Sequence, residues 1–169
     1  MRTRIISAFP GTGKTEFFSN NEDVLDSDST NFSWLRDGDT KTRNPDFPNN
    51  YIAHIKENIG KCKFILVSSH REVREALLDN CLFFYLIYPR DTQENKIEYL
   101  DRYKRRGSPE SFLKLLDENW EDWIKECEFC DCGCSNVQMM HPYLENEISH
   151  IVCSENGDEI VEEINAAED

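Results

Sequence analysis

Ala8-Phe9-Pro10-Gly11-Thr12-Gly13-Lys14-Thr15 is the stretch whose residue types and spacing best suit chemistry. It approaches the pattern G-x-x-x-x-G-K-[ST], in which a glycine-rich turn aims backbone N–H groups at phosphate oxygens. Gly13, Lys14 and Thr15 fit, while Ala8 stands where the first glycine belongs. Gly11 and Gly13 still let the backbone curl. Lys14 is expected to reach the β- and γ-phosphates of a nucleotide and Thr15 to place its hydroxyl on Mg²⁺, so that Pro10, Gly11, Thr12, Gly13, Lys14 and Thr15 hold the nucleotide together. A helix opening near Gly13 adds the positive end of its dipole. The alternative is a glycine-rich turn with an incidental lysine.

Four further constellations bear on the chemistry. Asp26-Ser27-Asp28-Ser29 is an acidic turn. A carboxylate there holds a metal-bound water or takes a proton from an attacking hydroxyl, with Asp28 the first choice and Asp26 the second. The same residues also make ordinary loop caps. Arg102, Arg105 and Arg106 recur at i, i+3 and i+4 and so share one helix face. Such a face neutralises a transferring phosphoryl group, and Gly107-Ser108-Pro109 offers a hinge for a closing lid. A solvated face paired with Glu98 and Asp101 is the competing reading. In Lys63 to His70 (KFILVSSH) the strand runs out into serines and a histidine, without the acid that motor-type and switch-type ATPases use for Mg²⁺. His70 either binds an acceptor or caps the next helix, while Arg36, Arg43, Arg71 and Arg90 are candidates for an acceptor's phosphate. Finally, Cys127, Cys130, Cys132 and Cys134 crowd together with His141 nearby. One structural Zn²⁺ gathering three of the thiols and His141 is one reading, and a cysteine-rich solvent loop the other, because zinc sites favour two separated ligand pairs.

These residues need a scaffold. Apolar runs alternate with helical stretches, which predicts an α/β fold with a mainly parallel sheet. Strands are expected at Arg4 to Ala8, Asp23 to Leu25, Lys63 to Ser68, Leu82 to Tyr88 (the most apolar, hence central) and His150 to Cys153. Helices are expected at Lys14 to Asn20, Asn49 to Asn58, Glu72 to Leu78 and Thr92 to Arg106, with another capped by Ser108 and a last one from Glu159 to Ala166. Leu115, Leu116, Trp120 and Trp123 form the stripe of the helix after Ser108. Residues 35–50 read as loop. In a doubly wound sheet, ligands sit at the carboxyl ends of the strands, where the turns 9–15, 26–29, 68–71 and 89–90 converge. The turn Cys153 to Gly157 would then contact an adenine through backbone groups, or be a plain turn.

Bulk properties narrow the function classes. The 169 residues suit one domain with a proper core. A net charge of −14 weighs against a nucleic-acid binder held by phosphate contacts, unless its channel is locally basic. No stretch approaches the roughly 20 apolar residues of a membrane span, and the apolar run at the start is too short for a signal peptide. A cytoplasmic location with reduced cysteines is therefore expected. The odd count of seven cysteines agrees poorly with a disulfide framework.

The order of these parts resembles the nucleoside and nucleotide kinase branch of the phosphate-loop proteins. The matching pieces are AFPGTGKT, the acidic turn DSDS, the Arg-rich helix end RYKRRG and HIVCSENGDEI. With the stretch from Asp26 to Trp34, the chain is also similar to small predicted kinases of bacteriophage genomes. The resemblance implies a three-layer phosphate-loop NTPase fold over residues 1–169, with a helical lid near 91–126 and a cysteine-rich insertion near 127–143. It also implies ATP and Mg²⁺ as cofactors and γ-phosphoryl transfer as the reaction, and carries the lid role onto Arg102, Arg105 and Arg106. The expected acceptor is a nucleoside or nucleoside monophosphate. The competing functions are a polynucleotide kinase and a non-catalytic nucleotide-binding protein.

Overall fold

Parallel strands buried on both faces need apolar side chains in succession, and the strands of this chain sort accordingly. The computed structural model describes residues 1–130 and 133–168. Its main sheet contains β1 (Arg4–Ala8), β2 (Val24–Asp26), β5 (Phe64–Ser68), β6 (Phe84–Tyr88) and β7 (Cys134–Gln138), in the order β2-β5-β1-β6-β7. All four pairings are parallel, in the registers Val24–Phe64, Ile5–Ile65, Ile5–Phe84 and Phe84–Cys134. The middle of the sheet is β1 rather than the more apolar β6. Successive residues point to opposite faces. Ile5, Ile65 and Leu86 enter one core cluster with Tyr51, Ile55, Leu77 and Trp120, while Ile6, Leu66 and Ile87 enter a second with Phe17, Leu144 and Ile148. Helices therefore cover both faces.

Among the described residues there are seven helices. The first face carries α3 (Asn49–Asn58), α4 (Arg71–Asp79), α5 (Gln93–Arg105) and α6 (Glu110–Glu128), and the second carries α1 (Lys14–Asn20) and α7 (Leu144–Glu168). Thr92 caps α5, accepting from the Asn95 N–H at 3.2 Å. Ser108 does not cap α6, which starts after Pro109 without a side-chain cap. None of the described helices is long and apolar enough to cross a membrane.

Two further expectations fail. The fifth strand is Cys134–Gln138, whereas His150 to Cys153 lies inside α7. Leu144, Ile148, Ile151 and Val152 pack together at helical spacing, so tertiary burial overrides the β-branched look of the segment. The true edge strand, CSNVQ, is polar and half-exposed and shows no apolar run. Within the expected loop 35–50, β3 (Trp34–Asp37) and β4 (Thr40–Arg43) form an exposed antiparallel hairpin, preceded by the short helix α2 (Thr30–Ser33). Its two-residue turn begins at Gly38 with φ 59°, which glycine adopts without penalty.

Candidate functional site

The carboxyl ends of β1, β2 and β5 open into one cavity of about 500 Å³. Its floor is Ala8, Pro10, Gly11, Gly13, Lys14 and Thr15, and one wall is Asp26 to Thr30. Ser68, Ser69 and His70 form the second wall. Tyr103 and Arg106 from α5, with Phe112, Leu115 and Trp123 from α6, overhang it.

The loop has its shape because two glycines take conformations that other residues avoid. Gly11 has φ 85° and Gly13 φ 104°. A Cβ on Gly11 would meet Tyr103 and Tyr99 at 3.0 Å. Ala8 is the buried last residue of β1 and is not among the positive-φ residues, so this position does not need glycine's freedom. Phe9 anchors the loop in the core, edge-on to Tyr99, Trp120 and Trp123. Thr12 turns inward: it is fully buried, its hydroxyl donates to the Phe9 carbonyl at 2.9 Å, and its carbonyl accepts from the Leu144 N–H. Thr12 thus fixes the loop, while its neighbours face the cavity.

Lys14 Nζ donates to the Ala8 carbonyl at 2.8 Å. Burial holds its ammonium pKa down at about 8, partly opposed by the charges of Asp26 and Asp28. Partial burial holds the Asp26 carboxyl above its ordinary value, with Lys14 opposing and Asp28 adding. Asp28 is exposed; its Oδ1 accepts the Thr30 N–H at 2.8 Å, and it also lines the cavity. It therefore caps the local turn, as the alternative reading has it, and still faces the cavity. Between the two acids, Ser27 is 4% exposed and its hydroxyl is the buried side-chain polar atom without a partner among the described residues. An unmet buried hydroxyl costs free energy, which the rest of the turn must offset. Beneath it, Tyr51 donates to the Ser27 carbonyl at 2.6 Å and fixes the turn. His70 borders this cavity and a neighbouring recess, and loss of solvent with Lys14 and Arg43 nearby lowers its pKa.

The arginines divide. Arg106 reaches the cavity, stacked over Tyr103 at 5.6 Å. Arg105 faces solvent and pairs with Asp101 at 2.8 Å and Glu98 at 3.6 Å. Arg102 is 8% exposed and points away from the cavity. It donates to the Gly11 carbonyl at 2.9 Å, the Pro142 carbonyl at 2.9 Å and Glu98 at 3.0 Å. Its guanidinium lies between the rings of Tyr99 and Tyr143, at 4.6 and 4.4 Å. Arg102 thus bolts the loop to the segment after β7. Arg71 pairs with Glu75 and is exposed; Arg36 sits on the hairpin; Arg90 lies across the loop, beside Met140, in a separate groove of about 560 Å³. None of these three lines the main cavity. Leu116, Trp120 and Ile124 are buried in the main core, so a lid made of all of 91–126 could not swing without exposing them. The α5–α6 turn at Gly107, with φ 75°, is exposed and lies outside that core.

The cysteines lie elsewhere. Cys127 is buried on α6, and burial pushes its thiol up to about 12. Cys130 and Cys134 have sulfurs 3.7 Å apart, His141 Nδ1 lies 3.0 Å from Glu147, and Cys132 falls outside the described residues. Among the described residues no group of three or more His, Cys, Asp or Glu could hold a metal ion. The expected adenine turn at Cys153 to Gly157 is helical, and Glu155 binds Arg4 at 2.7 Å, at the amino end of β1. The segment that follows the edge strand is instead Met139 to Tyr143. Tyr103, Phe112, Trp123 and Ser27 went unassigned from sequence; the apolar stripe of α6 signalled Trp123, and the DSD turn signalled Ser27.

Set against known proteins, the chain matches no family model, no curated protein and no solved structure.

Proposed function

We propose that this chain is an ATP-dependent phosphotransferase, a phosphate-loop kinase of the three-layer NTPase type whose acceptor is a nucleoside unit, either a nucleoside or a nucleoside monophosphate. The observation that carries the reading is the convergence, in one cavity, of two left-handed glycines, a partly desolvated lysine, two carboxylates and an arginine. Bound ATP with Mg²⁺ supplies the transferable γ-phosphoryl group. Backbone N–H groups of the loop and the Lys14 ammonium bind the phosphates, and Thr15 offers its hydroxyl to the metal. With a nucleoside as acceptor, Asp28 orients its hydroxyl and takes its proton; a monophosphate acceptor attacks through its phosphate oxygen and needs no base, and Asp26 lines the same cavity. Arg106 brings positive charge from the α5–α6 tip to the group in transfer. Tyr103, Phe112, Leu115 and Trp123 keep water from competing as acceptor.

The test is transfer of label from γ-labelled ATP across a panel of nucleosides and nucleoside monophosphates. Labelled acceptor with Asp28→Asn inactive supports the reading. ATP binding without transfer to any acceptor supports the non-catalytic alternative.

A further inference from the structure

Beside the main cavity lies a recess of about 330 Å³ that shares Ser29, Thr30 and His70 with it and is closed by Trp34, Arg43 and Phe47. Trp34 and Arg43 are the first cross-strand pair of the β3–β4 hairpin, and Arg36 and Lys41 are the pair two residues further out. Side chains two apart on a strand share a face, as do directly paired residues. Trp34, Arg36, Lys41 and Arg43 therefore occupy one face, with Leu35, Asp37, Thr40 and Thr42 on the other. The contacts agree: Lys41 Nζ lies 4.4 Å and the Arg43 guanidinium 5.4 Å from the Trp34 ring centroid. Arg43 also lies 4.8 Å from the Phe47 ring.

This face is unusual for a chain of net charge −14. It carries three cations and one aromatic ring, Trp34, and no acid of its own. Arg43 shares a salt bridge with Glu72, whereas Arg36 and Lys41 have no carboxylate partner among the described residues. All four strand positions on each arm are exposed. The two cross-strand pairs are about 7 Å apart along the strands, which spans about two stacked nucleotides. A ring set among three cations suits a base set among the phosphates of its strand.

We infer that this face docks a single-stranded nucleic acid and that the nucleoside unit entering the recess is the terminal one of that strand. The inference rests on the kinase reading for its chemistry. The bond from the γ-phosphorus to the leaving ADP oxygen breaks, a bond to the terminal hydroxyl oxygen forms, and the hydroxyl proton passes to Asp28. Trp34 stacks a base, Arg43 and His70 flank the entry to Asp28, and Arg36 with Lys41 hold the backbone of the next nucleotides. Locally basic in this way, the acceptor side escapes the objection raised by the net charge.

The test is anisotropy of a 3′-labelled, 5′-hydroxyl oligothymidylate of about ten nucleotides, a length suited to one strand-binding face. It is run against thymidine monophosphate as competitor, with a fluorescent ATP analogue measured separately. With about two phosphate contacts, affinity should fall about sevenfold between about 50 and about 200 mM salt. The double variant Arg36→Glu with Lys41→Glu should lose oligonucleotide binding at least about tenfold while binding the ATP analogue as wild type does. The substitutions are on an exposed hairpin outside the core, and unchanged circular dichroism checks the fold. Oligonucleotide binding no tighter than that of the monophosphate, insensitive to salt, or unchanged in the double variant overturns the inference and points to a small free acceptor. Oligonucleotide binding without ATP binding upholds the docking face and removes the kinase reading.

Discussion

Two arginines one helical turn apart should fail in opposite ways. Arg102 is bound by two backbone carbonyls, Gly11 and Pro142, and packed between two tyrosine rings. Arg102→Leu fills much of the same space but leaves both carbonyls without their donor. At about 1.5 kcal/mol for each charged hydrogen bond lost, and about 0.5 to 1 kcal/mol for the ring contacts, the cost is about 3 to 5 kcal/mol. The Glu98 pair is half-exposed and adds little. For a domain of this size that lowers the melting temperature by about 10 °C. Arg106 is exposed, and Arg106→Ala should change stability by no more than about 0.5 kcal/mol. Its loss should instead slow phosphoryl transfer by about a thousandfold, the scale of an arginine acting on the transferring group. The assay is thermal or urea unfolding of both variants beside single-turnover transfer from ATP. Arg102→Lys keeps the charge without the fork and should recover only part of the stability. If Arg102→Leu melts with the wild type yet loses transfer, Arg102 acts on phosphate and the bolt between the loop and the 139–143 segment is wrong.

Three further outcomes follow from the same geometry. Gly11→Ala forces a Cβ against Tyr99 and Tyr103 at φ 85°; it should cost at least about 1 to 2 kcal/mol in urea unfolding, and wild-type stability would mean the loop shape is not as described. With Lys14 near pKa 8 in the free protein, phosphate binding restores its charge, so nucleotide binding should take up about half a proton at pH 8 and little at pH 7. Calorimetry in two buffers of different ionisation enthalpy reads that uptake, affinity should weaken as pH rises above 8, and uptake that survives Lys14→Ala would assign the proton elsewhere. Tyr51→Phe removes the donor to the Ser27 carbonyl at 2.6 Å; it should cost about 1 to 2 kcal/mol in stability and weaken acceptor binding through the displaced 26–28 turn, and unchanged values of both would show the turn to be held by other contacts.

What the sequence makes legible follows the range of the forces involved. The loop at 8–15 is written in local terms, since glycine's access to positive φ and the lysine beside it need no distant partner. The interior strands β1, β5 and β6 are apolar runs because both their faces are covered. β7 escapes because an edge strand with one open face needs no apolar run, and α7 is misread because His150 to Cys153 matches a strand until Leu144 and Ile148 are seen to share its stripe. The hairpin is polar throughout, and Gly38-Asp39 is its one local signal. The role of Arg102 is beyond local reading: its carbonyl partners lie 91 and 40 residues away. Arg106, four residues on, has the same residue type and a different fate.

The proposed function requires residues 8–15 to deliver the γ-phosphate of ATP to an acceptor hydroxyl beside Asp28. The most direct measurement is single-turnover transfer of label from γ-labelled ATP to a 5′-hydroxyl oligonucleotide, with nucleosides and nucleoside monophosphates in parallel, by wild type, Lys14→Ala and Asp28→Asn. The expected result is labelled acceptor with wild type, transfer abolished in Lys14→Ala together with weakened ATP binding, and transfer abolished in Asp28→Asn with ATP binding intact. Unlabelled acceptors throughout, or label undiminished in Lys14→Ala, would contradict it.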